Sequence, residues 1–74
     1  EKVVVPHLVK ILLSSDSSEA VAAAISLGKM GWRAKEAIPQ LIQALSDSDR
    51  LVREYAAAAL GEIGEDVYII NEKN

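Results

Sequence analysis

From Ala34 to Leu45 the apolar positions Ala34, Ala37, Ile38, Leu41, Ile42 and Leu45 fall at offsets of 0, 3, 4, 7, 8 and 11, the spacing of one face of an α-helix. Val52, Tyr55, Ala56, Ala59, Leu60 and Ile63 repeat those offsets. Between the two runs stand Ser46, Asp47, Ser48 and Asp49, whose side-chain oxygens suit the free N–H groups of a helix start. Pro39 lies inside the first run. Because proline removes a helical hydrogen bond, a bend is predicted over Glu36 to Pro39. Gly61 and Gly64 are read as the stop of the second run. The preceding segment reads likewise, with a helix to about Leu13, a break at Ser14 to Ser18 and a helix from about Glu19 to Met30 closed by Gly28 and Gly31. Two helical hairpins, about four helices, are predicted, and the fold class is all-α.

The two hairpins are copies at a period of 33 residues. Sliding the chain by that amount places Pro6 on Pro39, Leu8 on Leu41, Leu12 on Leu45, Ser15 on Ser48 and Asp16 on Asp49 without a gap. Ala23, Ala24, Leu27, Gly28 and Gly31 fall on Ala56, Ala57, Leu60, Gly61 and Gly64. A period of this length marks a supersecondary unit that cannot bury its apolar face alone and gains stability by stacking on its copies. The predicted division is residues 1–33, residues 34–66 and an irregular C-terminal tail or cap, residues 67–74. In the tail, Glu72 stands where a third unit would carry proline, and Val67 to Ile70 favours an extended conformation that docks on the second unit or a neighbour.

Composition sharpens this picture. Half of the 74 residues are apolar and 26% are charged, as in a folded segment. The apolar half is aliphatic and small, with 11 alanines, 22 Val, Ile and Leu, no Phe and a single Trp. Such residues let helices approach closely. Without cysteine and with His7 as the only histidine, disulfides and a structural metal site are not expected, nor is any cofactor. The net charge of −3 with scattered basic residues argues against nucleic-acid binding. No apolar run approaches a membrane span, and no signal peptide is read at residues 1–15, so the expected location is the cytoplasm.

The second unit carries a resemblance. Ala34 to Leu45 with its Pro39, the turn with Asp47 and Asp49, the pair Val52-Arg53, and the endings Ala56-Ala57, Leu60-Gly61 and Ile63-Gly64 resemble a HEAT repeat, and more narrowly the HEAT-like repeats of phycobilisome lyases. The resemblance implies an α-solenoid of two HEAT-like hairpins and a ladder between neighbouring units formed by the turn aspartate, Asp47 or Asp49, and Arg53. The first unit has Glu19 and Ala20 where the second has Val52 and Arg53. It also implies a non-catalytic scaffold or adaptor for protein binding, with the second helices as the binding face. The alternative implied by the narrower likeness is a component of a bilin lyase enzyme system.

Candidate contact residues come from the second helix of the first unit. Its core stripe by register is Ala22, Ala23, Ser26, Leu27 and Met30, yet Val21 and Ile25 lie almost opposite. A helix that is apolar nearly all round is buried on both sides. Val21 and Ile25, with Lys29 one turn on, are therefore read either as a contact surface for another protein or another copy of the chain, or as packed on the Val3 to Val5 segment. The matching positions Glu54 and Ala58 suit exposure on the same face. Trp32, beside Arg33, is read as packing across the end of the hydrophobic layer or as an interface anchor. The seven serines cluster in the turns and at Ser26, and none lies in a GxSxG motif. No catalytic residue is therefore assigned, and the chain is not expected to be an enzyme.

Overall fold

The computed structural model describes residues 4–73, with side-chain surroundings for residues 4–64. Helix α1 (Val4–Leu12) and helix α2 (Ser17–Met30) form the first hairpin. A 3-10 stretch (Gly31–Ala37) then leads into the short α3 (Ile38–Ala44) and the long α4 (Arg50–Lys73). Both prolines sit in the first turn of a helix, Pro6 in α1 and Pro39 in α3, where the missing N–H has no intrahelical partner to lose. The predicted bend at Glu36 to Pro39 is thus a change of helix type: the 3-10 stretch ends at Ala37, and Ala34 inside it is non-helical at φ −100° and ψ 17°.

Helix starts are set by the period. Asp16 caps α2, its carboxylate accepting the N–H of Glu19 at 3.1 Å. Asp49, one period on, caps α4 by accepting the N–H groups of Leu51 at 2.8 Å and Val52 at 3.2 Å. Helix stops are not repeated. Gly31 ends α2 at φ 60°, its N–H donating to the carbonyl of Gly28, whereas Gly28 lies inside the helix. Gly31 is the one positive-φ residue among those described. Gly61 and Gly64, read from sequence as a stop, keep helical torsions, and α4 runs on to Lys73. The irregular tail at 67–73 is therefore corrected to helix. No proline interrupts this segment, and strand propensity is too weak and context-dependent to stop a helix already propagating. The docking expected for the Val67 to Ile70 side chains, like the Val3 contact, lies outside the described residues.

α2 lies between α1 and α4 and packs most extensively on α4. Alanine supplies eight of the fourteen buried apolar residues, so backbones approach where larger side chains would hold them apart. The buried stripe of the second unit differs from the expected one. Gly31, Ala34 and Ala37 are buried at intervals of three along the 3-10 stretch, and Leu41 and Ala44 follow at helical intervals. Ile42 and Leu45 lie on the uncovered flank of this stripe, 54% and 39% exposed. In α4, Val52, Ala56, Ala59 and Ile63 are buried as expected, Leu60 is partly buried and Tyr55 turns outward. In α2 the buried residues are Ala20, Ala23, Ala24, Leu27 and Gly28. The stripe is rotated off Ala22 and Ser26, both exposed, because this helix is covered from two sides.

A candidate docking groove between α2 and α4

Small residues floor a groove along the α2–α4 seam. Ala24 from α2 with Ala58 and Ala59 from α4 lie at its base, Ile25 and Lys29 form one wall, and Tyr55 and Glu62 form the other. It encloses about 400 Å³ and is open to solvent. Ile25 and Tyr55 are each more than a third exposed, so apolar surface stands uncovered on both walls, with the Lys29 and Glu62 side chains also on the rim.

Of the residues singled out by sequence, Ile25, Lys29 and Ala58 meet in this groove. Glu54 lies exposed one turn before Ala58 and accepts from Arg50 Nε at 2.9 Å. Val21 is not in the groove. It is partly buried against the core and borders a second depression with Ser17, Ser18, Asp49 and Leu51. Trp32 is on the 3-10 stretch, 47% exposed, so it does not pack fully across the end of the hydrophobic layer. Tyr55 and Glu62 were missed. Tyr55 satisfied the apolar stripe of α4 and was assigned to the core. Glu62 is charged and lies outside the apolar stripe of α4, so the spacing gives no sign of it.

The turn before α4 is held by its own polar groups. Asp47 accepts the N–H of Asp49 at 2.8 Å. Arg53 Nη1 donates to the carbonyls of Asp47 at 2.8 Å and Ser48 at 3.0 Å. The N–H of Val52 holds the Asp49 carboxyl below the usual carboxylate range, with the Ser17 hydroxyl, the N–H of Leu51 and the Arg53 guanidinium adding to this against an opposing desolvation. Ser17, which opens α2, borders the same depression as Asp49. Among the described residues no group of three or more His, Asp or Glu side chains is placed to hold a metal ion, and no described helix is long and apolar enough to cross a membrane.

No curated protein sequence matches the chain. The family model described as HEAT repeats matches residues 5–70, which takes in both hairpins and most of α4. With helical pairs recurring at 33 residues, aspartate-capped second helices and a match over most of its length, the chain belongs to the HEAT-repeat family.

Proposed function

We propose that this protein is a non-catalytic interaction scaffold, a short α-solenoid whose second helices, α2 and α4, offer the groove of Ile25, Lys29, Tyr55, Ala58 and Glu62 to a partner protein. HEAT repeats generally mediate protein–protein interactions. The observation that carries the reading is the groove itself, where an aromatic and a branched aliphatic side chain flank an alanine floor and charged groups stand at the rim. An apolar strip with a polar margin suits the apolar face of a partner segment. Residues 1–33 and 34–66 serve as the two units and residues 67–74 as an end cap. Asp47, Asp49 and Arg53 brace the turn of the second unit, and these are the side chains that a ladder between neighbouring units would use. Val21, Trp32 and Glu54 belong to the outer margin of the contact surface. The bilin lyase alternative rests on likeness of repeat residues alone, and the groove adds no observation to it.

A photo-crosslinking amino acid placed at Ala58, compared with one at Lys10 on the exposed side of α1, tests the reading in cells. The expected result is a discrete adduct from position 58 that disappears when Ile25→Glu is added, with helicity and Tm of that variant unchanged. Identical adducts from both positions would sink the proposal.

A further inference from the structure

The two walls of the groove are graded alike. Each is apolar toward the N-terminal end of its helix and charged toward the C-terminal end: Ile25 and then Lys29 on α2, Tyr55 and then Glu62 on α4. Gly28 joins the charged ends. The Glu62 side chain lies across the seam in the space that a Cβ on Gly28 would take, beside Ala59, so its carboxyl is seated at one end of the alanine floor. Among the described residues neither Lys29 nor Glu62 forms a hydrogen bond or an ion pair. The groove thus ends in an unpaired carboxylate. Elsewhere on the same helix that need is met from within the chain, where Glu54 accepts from Arg50 Nε at 2.9 Å.

We infer that the groove takes a basic amphipathic helix, with an apolar side chain between Ile25 and Tyr55 and the head of an arginine or lysine on Glu62. This rests on the groove being the partner site proposed above and names the chemistry of the partner. Three features favour a base over an acid. The carboxylate is seated on the seam, whereas the Lys29 ammonium ends a flexible exposed stem, so Glu62 is the charge whose position is set before a partner arrives. The floor of Ala24, Ala58 and Ala59 suits the methylene stem of a long basic side chain, which lies on apolar surface with its head in water. The net charge of −3 draws a basic segment and repels an acidic one. Spacing follows from α4. Tyr55 and Glu62 are seven residues apart, about 10 Å along the axis, so a helix beside α4 reaches both with residues about seven apart, or about four apart where the basic stem spans the last turn.

The test titrates the full chain with two alanine-based helical peptides that carry leucines along one face and differ only in having arginine or glutamate one turn beyond the last leucine. Binding is read from the NMR signals of Ile25 and Ala58. The arginine peptide is expected to bind about fivefold more tightly than the glutamate peptide at low salt, the upper scale for an exposed ion pair, and the difference fades as salt is added. Glu62→Gln brings the two affinities together and leaves Tm unchanged. Equal affinities in the parent chain, a preference for the glutamate peptide, a preference that survives Glu62→Gln, or no shift of the groove signals with either peptide overturns the inference. So does a chain that dimerises on concentration with the same signals shifting, because the groove then takes a second copy. Crosslinking at Ala58 reports whether the groove is occupied in cells whatever the charge of the occupant. A discrete adduct beside a failed titration therefore leaves the scaffold reading standing without the basic helix.

Discussion

A Cβ on Gly28 would stand 3.2 Å from the Cα of Ala59, so α2 and α4 meet there nearly backbone to backbone. Gly28→Leu forces the helices apart and is expected to cost about 2 kcal/mol, the usual scale of overpacking. At Gly61, open to solvent, Gly61→Ala replaces glycine in a helix interior and stabilises by up to about 1 kcal/mol. Urea unfolding of both variants checks the pair, and equal effects would contradict the seam.

Leu27 and Leu60 are the same residue at the same repeat position, the first fully buried and the second partly so. Leu27→Ala leaves a cavity and is expected to cost about 3 kcal/mol. Leu60→Ala should cost clearly less. A chain of this size has little stability to lose, so the expected readout for Leu27→Ala is loss of cooperative thermal unfolding rather than a shifted midpoint.

Asp49 carries a depressed pKa in the folded chain, chiefly through the N–H of Val52. A carboxyl shifted downward contributes stability that is fully present above its unfolded value, near about pH 4, and lost as pH falls through the lower folded value. Asp49→Asn keeps a capping oxygen and removes the charge. The Tm difference between parent and variant should therefore be constant near neutral pH and shrink as the pH falls through the folded value of Asp49. A difference that persists undiminished in acid would show that the charge plays no part.

Two arginines one turn apart should behave differently. Arg50 pairs with Glu54 on an exposed face, and Arg50→Ala is expected to change stability by less than about 0.5 kcal/mol. Arg53 ties down two carbonyls of the turn, so Arg53→Ala should cost about 1 to 2 kcal/mol, with only partial rescue by Arg53→Lys, whose ammonium lacks the planar fork. Equal losses from Arg50→Ala and Arg53→Ala would remove the turn from the account.

Trp32 is the sole tryptophan, and nearly half of its surface is exposed. Its emission should lie toward the red of a buried indole and be quenched by iodide in the folded chain. A blue-shifted, unquenched signal would place the ring against another surface in solution.

The helices and their pairing were legible because the 33-residue match and the aspartates before α2 and α4 act locally: a cap works through N–H groups two or three residues away. Burial was less legible. The buried set Ala34, Ala37, Leu41 and Ala44 and the set with Ile38, Ile42 and Leu45 are two edges of one helical face, and spacing does not say which edge is covered. Tyr55 fitted the apolar stripe of α4 by spacing, but its exposure depends on how far α2 covers that helix, which periodicity does not encode. The reasoning that set Val21 and Ile25 opposite a core stripe separates in the structure: Ile25 is exposed and Val21 packs on the core, because the buried stripe of α2 is rotated off Ala22 and Ser26.

Gly31 and Gly64 occupy one repeat position, yet the first bends the chain at φ 60° and the second lies inside α4. Glycine adopts positive φ about as readily as negative φ. Position 64 is therefore a joint that can be straight or folded with little conformational penalty, where alanine would weld it straight. The same residue at the same repeat position thus ends one second helix and is carried inside the other.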